Sequence, residues 1–146
     1  MHQIHHRSNG NQRIRKVPMK KIWLNGCFDV LHYGHFQLIA HAVSLGGQVK
    51  IGIDSDRRVK ESKGDDRPFH TQNQRVSNLL QIQGVSGVVV FDSDKELSDL
   101  IKEYKPDIFV IGEEYKDRGI IGRKHAKEIK FFPKVEGLST TKLLDE

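Results

Sequence analysis

The chain is poor in what would tie it to an oxidising compartment, a membrane or nucleic acid. Cys27 is the only cysteine among 146 residues. An intrachain disulfide framework and a cysteine-based zinc cluster are therefore excluded, and a reducing, cytoplasmic setting is expected. No apolar run approaches the roughly 20 residues needed to cross a bilayer, so no membrane association is expected. Acidic residues are missing from the first 18 positions, which hold Arg7, Arg13, Arg15 and Lys16. The whole chain has 24 basic and 19 acidic residues and a net charge of +5, but without those four the remainder is 20 against 19. That near-neutral remainder implies no nucleic-acid-binding face. The leader also lacks the apolar core of a secretory signal. Residues 1–18, with His2, His5 and His6, read as a disordered leader or a remnant of cloning. One domain is expected over 19–146, beginning at a plausible natural start, Met19. Internal repeats, low-complexity segments and interior linkers are absent as well.

Beyond Met19 the chain alternates between strand and helix. Short β-branched or aromatic runs bounded by Gly, Pro or Asp predict strands at 21–26, 48–53, 87–91, 107–111 and 129–132. Helices are expected at 35–45, 71–82, 94–104 and 122–128, with a last turn or two from Ser139. Thr71 and Asp94 are natural N-caps, and Pro106 is a stop signal behind the third helix. Such βα units imply an α/β fold: a single Rossmann-like domain, a mostly parallel five-stranded sheet with helices on both faces. Ligands of such sheets bind beyond the C-terminal strand ends, at the switch point.

The first βα turn falls at that edge and carries the run Gly26-Cys27-Phe28-Asp29-Val30-Leu31-His32-Tyr33-Gly34-His35. The unpaired N–H groups of a helix's first turn and its dipole favour an anion. Gly34 admits a ligand close to the backbone. His32 and His35, three residues apart, can donate to phosphate oxygens from one side of the turn. A second candidate lies after the second strand, where Lys60-Glu61-Ser62-Lys63-Gly64-Asp65-Asp66-Arg67-Pro68 reads as a charged, glycine-bearing loop, with Arg75 eight residues beyond Arg67. A third is Gly112-Glu113-Glu114-Tyr115, after the fourth strand. Tyr115 is a candidate to pack on a base or sugar or to cover the core, and Lys116-Asp117-Arg118 leads on to Gly122. A fourth is Gly137-Leu138-Ser139-Thr140-Thr141, where Gly137 allows a tight entry and the capped helix start offers a second anion site.

The His32-Tyr33-Gly34-His35 signature, with Gly26, Cys27, Phe28 and Asp29 at the matching spacing, resembles the HxGH nucleotidyltransferase superfamily. Within it the chain is most similar to the cytidylyltransferase-like branch, which includes glycerol-3-phosphate cytidylyltransferase and the adenylyltransferase domain of ADP-heptose synthase. The likeness runs from about Lys20 to the C-terminus. It implies that His32 and His35 contact the nucleotide phosphates and stabilise charge in the transition state. It makes Asp29 a residue that orders the turn, by capping or through a metal's surroundings, or else a plain turn aspartate. The Lys-Gly-x-x-Arg-Pro pattern resembles the heptose branch and implies phosphate contacts by Lys63 and Arg75, with Lys60 and Arg67 secondary. Glu114 stands where the family commonly has aspartate, as in Gly-x-Asp-Tyr or Gly-Asp-Asp-Trp. The C-terminal segment is similar to Arg-Thr-x-Gly-Ile-Ser-Thr-Thr, with Lys134 in the place of the arginine and Val135 in that of the threonine. Cys27 lacks an evident base and reads as a small buried residue rather than a nucleophile.

The resemblance implies nucleotidyl transfer from an NTP, ATP ahead of CTP, to a sugar or polyol phosphate. Pyrophosphate leaves, and Mg²⁺ is held mainly by substrate phosphates rather than by a protein cage. It also implies a homodimer. The alternatives are a CTP-dependent enzyme acting on glycerol 3-phosphate, a nucleotide-binding module without turnover, and a nucleic-acid binder using the basic leader.

Overall fold

The computed structural model describes residues 19–133. The elements run β1 (Lys20–Gly26), α1 (Tyr33–Ser44), β2 (Gly47–Asp54), α2 (Asp56–Lys63), α3 (Gln72–Leu80), β3 (Val85–Phe91), α4 (Asp94–Tyr104), β4 (Ile108–Gly112) and β5 (Glu128–Phe132). All four strand pairings are parallel, in the order β3-β2-β1-β4-β5. The expected α/β architecture is therefore present. The chain leaves β1 toward β2 on one side and crosses to β4 on the other, so the switch point lies between β1 and β4.

Strand alternation divides the core in two. Ile22, Leu24, Val49, Ile51, Ile53, Val88 and Val110 face α1 and α3, where Ile39, Ala42 and Leu79 are buried against them. Trp23, Val89, Phe91, Phe109 and Ile111 face α4, which contributes Leu97 and Ile101. Burying a side chain of this size contributes about 1.5–3 kcal/mol. The two layers fix the sheet and hence the loops on its C-terminal edge. The leader and the segment with Lys134, Gly137, Leu138, Ser139, Thr140 and Thr141 lie outside the described residues.

Three local expectations need correction. The 60–68 segment is not all loop, because Lys60–Lys63 close α2. That helix buries only Val59, so no apolar period announces it. It is held instead by its ends: the Ser55 hydroxyl accepts from the Arg58 N–H at 3.2 Å, Asp56 begins it, and Lys60 and Lys63 lie in its last turn. Gly64 then breaks it at φ +108°, a conformation that favours glycine. The expected helix at 122–128 is a single 3-10 turn, Arg123–His125, because β5 claims Glu128. Ser93 rather than Asp94 caps α4, its side chain accepting from the Glu96 N–H at 3.1 Å.

Candidate active site

The turn after β1 is built around α1's first residues. The helix starts at Tyr33, two residues earlier than the spacing suggested, so His32 is its N-cap. The Gly34 N–H donates to His32 Nδ1 at 3.0 Å, and the His32 N–H points to His35 Nδ1 at 3.4 Å. The two imidazoles thus form a reciprocal capping box, the role usually filled by Ser or Thr with Glu or Gln. They stack with centroids 3.9 Å apart and planes 24° from parallel. Because His32 Nδ1 accepts, the proton of the neutral ring sits on Nε2, where it can be given to a ligand.

Both rings are held neutral. Burial pushes His32 below the ordinary histidine value. His35 falls to about 4 through burial first, then the nearby His32 ring and the Lys63 amine, against an opposing bond to the Val30 carbonyl. Phe28 packs on His35 at 5.2 Å between centroids and adopts a left-handed backbone, φ +50°, which costs an ordinary residue about 1–2 kcal/mol. Its ring also explains Gly26, since a Cβ there would sit 3.1 Å from Phe28 Cε2.

Asp29 resolves into an anchor for a distant loop. Its buried carboxylate accepts from the Phe69 N–H at 2.8 Å and the His70 N–H at 2.9 Å, and from Arg67 Nε at 3.2 Å. Burial alone would raise this carboxyl, but the His70 and Phe69 N–H groups and Arg67 outweigh it and hold it below its usual value. Arg67 is thereby committed to Asp29 and stacks over Phe69 at 4.7 Å; it is not placed as a phosphate contact.

Arg75 is a second correction. It is fully buried, and four of its five donors are spent inside the protein. Nε donates to the His70 carbonyl at 3.1 Å, Nη1 to the carbonyls of Cys27 at 3.0 Å and Asp54 at 2.8 Å, and Nη2 to Asp56 Oδ1 at 2.8 Å. It braces the ends of β1 and β2, and with no exposed surface and no place in the cleft lining it is not positioned to meet a phosphate. Lys60 is exposed and stands outside the cleft.

The C-terminal strand edge encloses a cleft of about 780 Å³. The phosphate turn, with Cys27, His32, Gly34 and His35, forms one wall. Lys63, at the end of α2, reaches the same space, near enough to depress His35 and to ease the burial-raised Cys27 thiol downward. Gly112, Glu114 and Tyr115 line it from the end of β4 and the 3-10 turn beyond it. Arg118 sits 5.2 Å over the Tyr115 ring and also lines it, as do Gly119 and Ile120. Among the further lining residues, Asp54, Arg58, Ser62 and Phe91 were not singled out as site candidates from the sequence. Two of them, Arg58 and Ser62, lie on the unforeseen α2. The signal available was Ser55-Asp56-Arg57-Arg58, a cap followed by polar helix formers, directly after a strand.

A parallel sheet ordered 3-2-1-4-5, with a histidine-capped helix at its switch point, is the frame of a nucleotide-handling α/β domain. Residues 23–143 match the cytidylyltransferase-like family, and the chain belongs to it. It is 40% identical over 134 residues to the bifunctional protein HldE of Campylobacter fetus and 42% identical over 132 residues to that of a Nitratiruptor species. These matches cover 92% and 90% of this chain but only 29% and 28% of those proteins. The chain thus spans under a third of the length of these relatives. Among solved structures, the lipopolysaccharide core biosynthesis protein of Thermoplasma volcanium superposes with a TM-score of 0.61 at 20% identity, covering 80% of this chain and 97% of that one. Pantoate-beta-alanine ligase from Francisella tularensis gives 0.56 at 15% identity, over 88% and 66%. At such identities these two show a shared fold.

Proposed function

We propose that this domain transfers the adenylyl group of ATP to a heptose 1-phosphate, releasing pyrophosphate and forming an ADP-heptose. The observation that carries the chemistry is the pair of neutral imidazoles capping α1 at the switch-point cleft, beside Lys63. The choice of substrates leans on the HldE relatives, bifunctional ADP-heptose synthases.

In this reading an oxygen of the acceptor phosphate attacks the α-phosphorus of ATP. A new O–P bond forms, the bond from Pα to the bridging oxygen breaks, and pyrophosphate carries away the electron pair. The attacking oxygen is already ionised, so no general base is needed. Catalysis reduces to positioning and to stabilising spread negative charge. His32 Nε2–H donates to the phosphates, His35 keeps the His32 ring stacked and the cap closed, and Lys63 supplies the full positive charge. Mg²⁺ is part of the proposal: in this reading the ion would arrive on the triphosphate, its phosphates facing His32 and Lys63 in the cleft. When bound it neutralises phosphate charge. The reading places the reaction in the cytoplasm and gives the enzyme as a homodimer. No described helix is long and apolar enough to cross a membrane.

The test is pyrophosphate release with Mg²⁺, crossing ATP and CTP against heptose 1-phosphate and glycerol 3-phosphate. Release with ATP and heptose 1-phosphate alone is expected. Release with CTP and glycerol 3-phosphate instead would replace the substrates and keep the chemistry. NTP binding without release from any pair would refute the transferase reading.

A further inference from the structure

The cleft lining carries a fixed donor–acceptor pair at the end of β2 and on α2. Arg58, on α2, donates through Nε to Asp54 Oδ1 at 3.0 Å and through Nη1 to Asp94 Oδ1 at 3.1 Å. Its guanidinium lies 5.2 Å over the Phe91 ring. Three contacts set its plane, yet an arginine has five N–H donors and only two are used here. One on Nη1 and both on Nη2 remain. Asp54 likewise offers one oxygen to Arg58 and keeps Oδ2. Asp54, Arg58 and Phe91 all line the cleft, and the side chains of Asp54 and Arg58 are each 24% exposed.

Charge decides what such a pair can hold. The guanidinium is flanked by two carboxylates, and Asp92, Arg57 and Glu61 beside them add a further pair of acids against one base. This part of the lining is net negative and repels another phosphate or carboxylate. The other cations lining the cleft are Lys63, five residues further along α2, and Arg118 beyond β4, and Lys63 is the one beside the histidines. A ligand with an anionic end and a neutral, hydroxyl-bearing body therefore has one orientation: phosphate toward Lys63 and the histidines, hydroxyls toward Asp54 and Arg58. An oriented carboxylate oxygen beside oriented N–H donors matches a vicinal diol, one hydroxyl donating to Oδ2 and its neighbour accepting from Nη2, with the Phe91 ring beneath.

We infer that Asp54 and Arg58 are the specificity-determining pair for the acceptor, reading hydroxyls on its sugar body while leaving the nucleotide untouched. This rests on the nucleotidyl-transfer reading and adds to it which residues choose the acceptor. Losing a charge-assisted hydrogen bond in a desolvated site weakens binding by roughly tenfold to a hundredfold.

The experiment uses the full chain and three variants, Arg58→Gln, Arg58→Lys and Asp54→Asn. Binding of heptose 1-phosphate and of ATP is followed separately by calorimetry, alongside KM for each. Heptose 1-phosphate affinity is expected to fall roughly tenfold or more in Arg58→Gln and Asp54→Asn, with ATP affinity within about twofold of the parent. Arg58→Lys keeps a charge for Asp54 but not the fork, and should also lose acceptor affinity. Thermal melts of all three identify a variant damaged in folding, and the remaining two then carry the comparison. Unchanged acceptor affinity in folded variants, beside a parent that binds and turns over heptose 1-phosphate, overturns this inference alone. An equal loss for ATP and acceptor overturns it too. A parent that neither binds heptose 1-phosphate nor releases pyrophosphate overturns the functional reading, and this inference with it.

Discussion

Replacing Arg75 separates a phosphate ligand from a structural brace. The side chain has no exposed surface and bonds to three backbone carbonyls and one carboxylate. In Arg75→Met the aliphatic stem is roughly kept, but the carbonyls of Cys27, Asp54 and His70 lose their partner. Leaving a buried acceptor unpaired costs about 1–3 kcal/mol. The three do not add fully, because neighbouring groups relax together. Breaking a buried charged pair by removing one partner costs about 3–5 kcal/mol. The Asp56 side chain is 37% exposed, so its share is smaller, and the expected loss is about 3–4 kcal/mol in total.

Urea unfolding of parent and variant, followed by circular dichroism, gives this difference directly. Arg75→Lys is the sharper comparison. It keeps the charge but reaches one or two of the four acceptors, so about 2 kcal/mol should still be lost. A phosphate contact would behave in the opposite way, with native stability and a raised KM for ATP. A loss under about 1 kcal/mol in Arg75→Met would refute the brace.

Asp29→Ala should cost about 2–4 kcal/mol and expose residues 67–70 to proteolysis before the rest of the chain, since three bonds to that loop disappear together; uniform proteolysis at the parent's rate would contradict the anchor. The depressed His35 value gives a pH signature. The unfolded ring binds its proton near pH 6.5 and the folded one only near 4, so stability is fully present above 6.5 and falls as pH drops through that window, by about 3 kcal/mol at pH 4. Urea midpoints across this range should slope less in His35→Gln than in the parent. Lys63→Gln should raise KM for ATP about tenfold in steady-state assays and leave the melting temperature within a few degrees. His32→Ser should keep the cap's acceptor and the parent's stability yet lower kcat by about 10²–10³, whereas His32→Ala should lose turnover and about 1 kcal/mol.

The strands were legible because each is a short run of β-branched or aromatic residues with a clear boundary, and both core layers depend on that pattern. The phosphate turn was legible because glycine and two histidines at fixed spacing stand directly after a strand. The features that escaped had no periodic signal. Helix α2 buries one residue and is stabilised by its ends and by ion pairs, so its charges read as a solvated loop. Arg75 was misplaced because an arginine near a ligand edge is usually exposed, and only the converging carbonyls of three separate segments reveal it as interior. Asp29 could not be assigned from the chain because its partners stand 38 to 41 positions away. Side chains satisfied by remote backbone leave no trace in local sequence.

The two histidines show why cap and chemistry share residues here. A helix N-terminus offers partial positive charge and unpaired N–H groups. An imidazolium at that end would meet the dipole, a second ring 3.9 Å away and the Lys63 amine. Neutral imidazoles avoid all three, and a neutral ring has one nitrogen to accept and one to donate. The helix uses the acceptor: Nδ1 of His32 takes the Gly34 N–H. That bond fixes the tautomer and the ring plane, so the remaining donor, Nε2–H, is aimed without further cost when a phosphate arrives. A serine cap would satisfy the helix but leave no rigid donor beyond it, and a lysine would donate but not cap. The histidine closes the helix with one ring atom and presents an oriented hydrogen bond to the cleft with the other.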